Sequence, residues 1–294
     1  MLIALILASG KGTRLAPLST EETPKQYLKL ITKNSLVADT VDRVRGFIND
    51  ENIYVVTNQA HKDLAYNEFP FLNKKNIILE PEMKETLASI THAVSVISNI
   101  TGGNPTFLIL PSDHYIDDYD NFKKSVTDGY NLIKTKEHYV LYGVRPTFPS
   151  TQFGYIKTVS KNNLLNIESF VEKPQIEIAS KIYNDSNYYW NNGIMLATKE
   201  NIFNSVANQL PIQYELLQKL DNKEIGTLDY FNNTLKSSFS RSVLEKEQNM
   251  FLIPVDYVWY DVGNFDTLFE ILEKLGKHDK LAEIKSLLNS KNLD

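Results

Sequence analysis

The 294-residue sequence contains no cysteine, which excludes disulfide bonds, thiolate metal sites and a cysteine nucleophile. No segment approaches the roughly 18 consecutive apolar residues of a membrane-spanning helix. The amino-terminal residues show no basic segment followed by a cleavage site, and the first apolar run leads directly into a glycine-rich loop. We therefore expect a cytoplasmic protein with no membrane partner.

The chain also lacks an excess of positive charge. Its 31 Lys and Arg residues against 36 Asp and Glu residues give a formal net charge of −5. A protein that binds duplex nucleic acid needs a basic surface, so this balance argues against a nucleic-acid partner. A local pocket of lysine, arginine and backbone N–H groups can still bind a phosphate on an acidic protein. The hydrophobic fraction of 42% is ordinary for a globular protein with a large core.

Patterns that bind metal ions are scarce. The five histidines lack the spacing of a zinc site such as HExxH, so zinc is not expected. Asp118 and Asp120 form a DxD pattern of the kind found in metal-dependent glycosyltransferases that consume nucleotide sugars. They stand directly before a predicted helix, where aspartate caps the first turn and favours the helix dipole. Capping is therefore the favoured interpretation, with a glycosyltransferase as the alternative.

Apolar runs alternate with amphipathic segments through the first half of the chain. Leu2–Ala8 is a continuous apolar run, typical of a strand buried on both faces. Thr86–Ile100 has apolar residues at spacings of three and four, which predicts a helix with one buried face. This alternation predicts a largely parallel sheet covered by helices. Further strands are predicted at Ile53–Thr57, Asn76–Leu79, Phe107–Leu110 and Tyr139–Val144.

The pattern changes near residue 150. Gly154–Val159 and Leu164–Val171 are predicted to form a hairpin around a polar turn. No flexible linker or internal repeat separates the halves. We expect one main domain over residues 1–265, whose two parts meet near residue 150, and a helical extension over 266–294.

A glycine-rich loop, Leu7–Leu15, follows the first predicted strand. Its small residues would let backbone N–H groups approach a phosphate, and Lys11 and Arg14 supply positive charge. The loop lacks the spacing of a P-loop, and Ala16 stands where a dinucleotide-binding loop would have its third glycine. An ordinary glycine-rich turn remains the alternative.

Nine segments, taken in order, resemble the signature of the sugar-1-phosphate nucleotidyltransferases, also called nucleotide-sugar pyrophosphorylases, and especially their mannose-1-phosphate guanylyltransferase branch. Each segment alone is a weak signal, but the ordered set spans most of the chain and is specific. The segments are Leu7–Leu15, Pro17–Ser19, Pro24–Gln26, Glu80–Pro81, Leu110–His114, Phe153–Ile156, Phe170–Pro174, Tyr189–Gly193 and Trp259–Gly263.

The resemblance implies an α/β fold: a Rossmann-like nucleotidyltransferase core with a mostly parallel sheet, and a smaller sugar-binding α+β lobe. Residues 1–150 would form the nucleotide half and 151–265 the sugar-binding part. The implied reaction transfers a nucleotidyl group from a nucleoside triphosphate, GTP in this branch, to a sugar 1-phosphate, mannose 1-phosphate in this branch, and releases pyrophosphate. A homodimer is compatible with the sequence.

The resemblance also implies roles for individual residues. Arg14, Lys25 and Asp113 would be catalytic. Asp113 and Asp261 would hold Mg²⁺, or alternatively Mn²⁺; each follows an apolar run, and carboxylates at strand ends suit such an ion. Residue by residue, the nucleotide-binding positions would be Leu7, Ala8, Ser9, Gly10, Gly12, Thr13, Arg14, Lys25, Glu80, Thr86 and Ser112. The sugar-phosphate-binding positions would be Gly154, Glu172, Lys173, Asn192 and Gly193.

The chain departs from the family pattern at two places. Ser9 replaces the first of two loop glycines. Met83–Ala88 replaces the sequence Gly-Arg-Asn-Thr-Ala-Pro, and only Thr86 matches. Another nucleoside triphosphate, another hexose or heptose 1-phosphate, and a catalytically silent nucleotide-sugar-binding regulator therefore stay open as alternatives. The presence of Lys25 and Asp113 favours an enzyme over the regulator.

Overall fold

Strands and helices alternate in the computed structural model, which describes residues 1–136 and 138–291. The α/β class predicted from the sequence is confirmed. The first half contains β1 (Leu2–Leu7), α1 (Leu36–Arg45), β2 (Ile53–Asn58), α2 (Lys62–Glu68), β3 (Ile77–Glu80), α3 (Glu85–Thr101), β4 (Thr106–Pro111), β5 (His114–Ile116), α4 (Tyr119–Lys136) and β6 (Tyr139–Val144).

The second half is richer in short helices than the sequence pattern indicated. It contains β7 (Tyr155–Lys161), β8 (Leu164–Val171), α5 (Ile176–Ile182), β9 (Tyr188–Thr198), α6 (Lys199–Gln209), α7 (Pro211–Asp221), α8 (Thr227–Asn233), α9 (Phe239–Ser242), β10 (Met250–Val255), β11 (Trp259–Asp261), α10 (Phe265–Lys274) and α11 (His278–Lys291). Within the described ranges, no helix is both long enough and apolar enough to cross a bilayer.

The chain divides into two compact units. The first unit consists of residues Met1–Leu5, Lys84–Leu110 and Asp118–Tyr257, and the second of Ile6–Met83, Pro111–Asp117 and 258–291. The boundaries predicted near residues 150 and 265 stay a prediction. The last three residues of the predicted extension, 292–294, lie outside the described residues.

The first unit is built on strands in the order β4-β9-β6-β10-β8-β7. β10 runs parallel to β6, whereas β9 runs antiparallel to both β4 and β6. β7 pairs antiparallel with β8 and also with the first residues of β9. The sheet is therefore mixed, and its antiparallel part brings the starts and ends of β7, β8 and β9 together.

Acidification is expected to destabilise the first unit through His92 of α3. Its side chain is buried against Thr227, and burial lowers its pKa from 6.5 to about 4. Between these values the unfolded chain binds a proton that the folded chain does not, so stability falls as pH decreases, by about 3 kcal/mol in all. Urea unfolding between about pH 7 and pH 4 should show a smaller loss for His92→Gln than for the wild type. Equal losses would contradict the assignment.

The second unit is held together by parallel strands, a two-stranded ribbon and the carboxyl-terminal helices. β2 pairs in parallel with β3, and the backbone N–H of Ala8, just after β1, donates to Val56 of β2. β5 and β11 form the separate antiparallel ribbon. A buried apolar cluster joins α10 and α11 to the segments around Leu15 and Val262. Leu15 and Val262 directly follow the predicted site residues Arg14 and Asp261 in the sequence, so the cluster helps to hold the backbone at both positions.

Candidate active site

The glycine-rich loop is held by side chains that bind its carbonyl groups. The Nε2 of Gln26 donates to the carbonyl oxygens of Ala8, at 2.6 Å, and Gly10, at 2.9 Å. The hydroxyl of Ser19 donates to the carbonyl of Gly12 at 2.7 Å. A loop whose carbonyls are bound in this way is suited to present backbone N–H groups to an anion.

Gly12 is required by the path of this loop. Its φ of +63° lies in the left-handed region, where a side chain is strained. A Cβ at this position would lie 2.3 Å from the Cβ of Lys25 and 2.7 Å from the Lys25 backbone nitrogen. The loop therefore packs directly onto the backbone of Lys25, and this packing fixes the distance between the loop and the lysine.

A cleft of about 290 Å³ lies beside the loop. Lys25, which is 4% exposed, places its Nζ there, 2.6 Å from Oδ2 of Asp113. The same Nζ donates to the carbonyl of Val262 at 2.7 Å. Burying an ammonium group requires such partners, so this lysine is held in one position. The cleft is lined by Leu7, Gly10, Lys11, Gly12, Thr13, Arg14, Lys25, Gln26, Ser112 and Asp113.

Two carboxylates and a histidine converge next to Lys25. Asp113 lies between β4 and β5, and Asp261 is the last residue of β11. The β5–β11 ribbon pairs Asp261 with His114, so ligand atoms of Asp113, His114 and Asp261 lie within 4.8 Å of one another. Burial is the largest single influence and acts to raise the pKa of Asp113, but the charge of Lys25, the electrostatic effect of His114 and hydrogen bonds from Lys25 and the backbone together outweigh it and hold that pKa below its usual value. Asp113 is therefore ionised at neutral pH.

His114 is fixed by a neighbouring indole. Nε1 of Trp259 donates to Nδ1 of His114 at 3.2 Å, and Nε2 of His114 lies 3.8 Å from Oδ1 of Asp113. Burial lowers the pKa of His114 below its usual value, and the carboxylates of Asp113 and Asp261 oppose this shift only in part. The imidazole is therefore neutral.

A second group of polar residues lies in the first unit, in a row across three strands. Tyr155 pairs with Val171 of β8 and with Trp190 of β9, so their neighbours Gly154, Glu172 and Asn191 are adjacent. The backbone N–H of Asn191 donates to the carbonyl of Gly154 at 2.8 Å. A Cβ on Gly154 would lie 2.5 Å from Oε2 of Glu172 and 3.8 Å from Cβ of Asn191, so any side chain at this position would collide with the carboxylate of Glu172. We call these three residues the cross-strand row.

Lys173, which follows Glu172 in the sequence, has an unusual backbone conformation. Its φ of +42° is positive, although it is not a glycine, and such strain concentrates at functional positions. Its Nζ lies 3.5 Å from Oε1 of Glu172, and the Lys173 side chain is 63% exposed. An exposed ammonium held next to a carboxylate is accessible to an anionic ligand.

The family model described as "Nucleotidyl transferase" matches residues 3–278, almost the whole chain. The chain belongs to the nucleotidyl transferase family. Two curated relatives illustrate the similarity. Mannose-1-phosphate guanylyltransferase of Escherichia coli is 30% identical over 96% of this chain and 63% of its own length. Xanthan biosynthesis protein XanB of Xanthomonas campestris pv. campestris (strain B100) is 32% identical over 94% of this chain and 60% of its own length.

This nucleotidyl transferase thus spans about three fifths of the length of those relatives. Its fold also matches a crystal structure described as mannose-1-phosphate geranyltransferase from Thermus thermophilus. The two superpose with a TM-score of 0.85 and 26% sequence identity, over 92% of this chain and 79% of the other.

The structure brings most of the predicted nucleotide-binding residues of this nucleotidyl transferase to one cleft. Ala8 and Ser9 belong to the loop but do not line the cleft, and neither do Glu80 and Thr86. Glu80 is buried at the end of β3, and the hydroxyl of Thr86 accepts the backbone N–H of Phe239. The predicted site residues that line the cleft are Leu7, Gly10, Gly12, Thr13, Arg14, Lys25 and Ser112, together with Asp113.

Among the predicted sugar-phosphate residues, Asn192 lies outside the cross-strand row, and its contact with the sugar stays a prediction. Its side chain is fully buried; its Oδ1 accepts the backbone N–H of Ile194, and its Nδ2 donates to the hydroxyl of Tyr257 at 3.4 Å. Because side chains alternate along a strand, it is Asn191 that belongs to the cross-strand row. Gly193, with a φ of +71°, is held by Oδ1 of Asn191.

Sequence reasoning missed several residues that organise the site. Gln26, His114 and Trp259 stand inside the recognised segments, but their hydrogen bonds have no signature in the sequence. The DxD aspartate Asp118 accepts the backbone N–H of Asn121 at 3.0 Å, as a helix cap does. This contact supports the capping interpretation.

Proposed function

We propose that this nucleotidyl transferase joins a nucleoside triphosphate to a sugar 1-phosphate and releases pyrophosphate, with GTP and mannose 1-phosphate as the preferred substrates. The observation that carries the proposal is the cleft in which the glycine-rich loop and the Lys25–Asp113 ion pair meet, with the carboxylate of Asp261 close to that of Asp113. A loop suited to phosphates and a pair of carboxylates suited to a metal ion are the requirements of nucleotidyl transfer.

In the proposed reaction, an oxygen of the sugar phosphate attacks the α-phosphorus of the triphosphate. The bond from that phosphorus to the bridging oxygen breaks, and the leaving electron pair departs with pyrophosphate. The loop N–H groups and Arg14 hold the triphosphate, whereas Lys25 offsets negative charge that grows near the reacting phosphates. No covalent bond to the protein is needed.

The donor set fits Mg²⁺. Asp113 and Asp261 supply oxygen ligands of the kind this ion prefers in combination with substrate phosphates. When bound, Mg²⁺ would supply charge that stabilises the transferring phosphoryl group. The protein's own part is to hold the two carboxylates: the Asp113 carbonyl accepts the backbone N–H of Val262, which fixes the two segments to each other.

The sugar 1-phosphate is assigned to the cross-strand row and Lys173. The carboxylate of Glu172 and the amide of Asn191 offer acceptors and donors for sugar hydroxyls, and Gly154 has no side chain to obstruct the ring. Lys173 would bind the phosphate through a charge-assisted contact. The cytoplasmic location and the homodimer stay predictions.

Replacing Lys173 with alanine is expected to raise the KM for the sugar 1-phosphate by about tenfold to a hundredfold, because one charge-assisted contact contributes about 1.5–3 kcal/mol. The KM for the triphosphate should change much less. Steady-state kinetics with each substrate varied in turn will separate the two effects. Lys157→Ala is a suitable control, since that lysine lies on β7 and is paired with Glu168. Equal weakening of both substrates would contradict the assignment.

The activity itself is tested by pyrophosphate release from the four nucleoside triphosphates against a panel of hexose and heptose 1-phosphates. We expect GTP with mannose 1-phosphate to have the highest kcat/KM, at least about tenfold above the other triphosphates, because a site that pairs with one base leaves polar groups unpaired with another. Preference for a pyrimidine nucleotide would overturn the choice of base, and absence of turnover with all pairs would overturn the reaction.

A further inference from the structure

The side chains of Asp113, His114 and Asp261 converge and could form either of two metal sites. In one, His114 is a third ligand beside Asp113 and Asp261; in the other, the protein supplies oxygen ligands only. The two sites would select different ions, because imidazole favours zinc and other transition metals whereas carboxylates suit Mg²⁺ and Mn²⁺. The hydrogen bond between Trp259 and His114 distinguishes them.

The indole N–H of Trp259 is a donor and cannot accept a hydrogen bond. It points at Nδ1 of His114 from 3.2 Å, so Nδ1 must present a lone pair and carry no hydrogen. The single hydrogen of the neutral ring is then on Nε2. One imidazole nitrogen is thus occupied by Trp259, and the other carries a hydrogen in place of the lone pair that a metal would need.

The secondary structure fixes this arrangement. Asp261 is opposite His114 in the β5–β11 ribbon, and Trp259, two residues before Asp261, projects from the same face. The indole and imidazole rings meet edge to face, with centroids 5.4 Å apart and an interplanar angle of 88°. Arg43 of α1 donates to the backbone carbonyl of His114 at 3.1 Å. The imidazole therefore has little freedom to rotate.

The Nε2–H of His114 lies beside the ligand Asp113, 3.8 Å from Oδ1. This distance exceeds a hydrogen bond, but the N–H dipole still favours the ionised carboxylate. Lys25 contacts the other oxygen, Oδ2, at 2.6 Å. The two oxygens of Asp113 are therefore each faced by a different donor, which fixes the orientation of the carboxylate.

We propose that Trp259 holds His114 in the Nε2–H tautomer, so that His114 is a positioning residue for Asp113 and the protein offers the metal ion oxygen ligands alone. The proposal rests on the proposed function only in taking Asp113 and Asp261 as the metal ligands. Its consequence is selectivity: the indole makes the site poor for zinc and cobalt and leaves it suited to magnesium and manganese.

The tautomer can be measured directly on the full chain labelled with ¹⁵N-histidine. Two-bond ¹H–¹⁵N correlations report which imidazole nitrogen carries hydrogen, and His114→Gln identifies the His114 signals among the five histidines. We expect the Nε2–H tautomer without metal and the same tautomer with saturating Mg²⁺. A hydrogen on Nδ1, or a Zn²⁺-induced shift of either His114 nitrogen that signals direct ligation in the wild type, would overturn the proposal.

Metal affinities measured by calorimetry give the second test. His114→Leu should weaken Mg²⁺ binding by about tenfold or more, the usual effect of losing a group that orients a metal ligand. His114→Gln, whose amide keeps a donor near the Nε2 position, should retain most of the affinity. Equal weakening by both substitutions would show that no donor is needed and would contradict the proposal.

Trp259→Phe keeps an aromatic ring but removes the indole N–H together with one ring of the indole, and so frees Nδ1 to take the hydrogen and Nε2 to bind a metal. The ratio of Co²⁺ affinity to Mg²⁺ affinity should then rise by about tenfold. An unchanged ratio with the wild-type tautomer still in place would show that the indole does not set the tautomer. A wild-type protein that binds no divalent ion would instead overturn the metal part of the proposed function, since the tautomer is measured without metal.

Discussion

Asp113→Asn is expected to lower kcat by about a hundredfold or more, because losing one group that stabilises transition-state charge commonly has an effect of this size. The amide is nearly the same shape but has no charge for Lys25, whose Nζ lies 2.6 Å from the wild-type carboxylate. The variant should still fold, since Lys25 keeps its hydrogen bond to the Val262 carbonyl. Pyrophosphate release and circular dichroism measure the two properties.

The matched control for this variant is Asp118→Asn, which changes the aspartate of the DxD pattern that caps α4. It should retain most of the activity. A chelator should abolish wild-type activity, and Mg²⁺ or Mn²⁺ should restore it. Full activity of Asp113→Asn, or loss of activity confined to Asp118→Asn, would move the metal site to the DxD pattern and favour the glycosyltransferase alternative.

Gly12→Ala is expected to disrupt the glycine-rich loop. The new Cβ would lie 2.3 Å from the Cβ of Lys25 and 2.7 Å from its backbone nitrogen, at a φ of +63°. Backbone atoms cannot move aside as a flexible side chain can, so we expect a loss of about 2–4 kcal/mol in unfolding free energy from overpacking and left-handed strain combined. The displaced loop should also weaken triphosphate binding by about a hundredfold.

Gly46→Ala provides the control for Gly12→Ala in the same unit. An added Cβ at Gly46 meets no atom within 4 Å, and its φ is −64°. Its stability should stay within about 0.5 kcal/mol of the wild type. Urea unfolding and titration with a triphosphate compare the two variants. Wild-type nucleotide affinity in a folded Gly12→Ala protein would show that the loop does not bind the phosphates.

Elements with a regular pattern of apolar residues could be predicted from the sequence alone. The apolar run of β1 and the three-and-four spacing in α3 are strong periodic signals, and the structure has both elements close to their predicted bounds. The glycine-rich loop was found because small residues next to cations are unusual after a buried strand. Its assignment to a nucleotidyltransferase site was predicted only from the ordered set of segments.

Other features could not be predicted because they depend on partners distant in sequence. β9 contains Asn191, Asn192 and Gly193, residues with low strand propensity, so the strand was missed and with it the alternation that separates Asn191 from Asn192. β5 and β11 have three residues each and are strands only because they pair with each other. The contact between Trp259 and His114 follows from that pairing.

The packing of α10 and α11 has a practical consequence for anyone who redesigns this protein. Leu281 and Ile284 of α11 share a buried cluster with Leu15 and Val262, the immediate neighbours of Arg14 and Asp261. A chimera that exchanges its last helices with those of a relative would therefore place foreign side chains directly beneath the residues proposed to handle the phosphates. Such a chimera should therefore exchange α10 and α11 together with the apolar residues around positions 15 and 262 that pack against them.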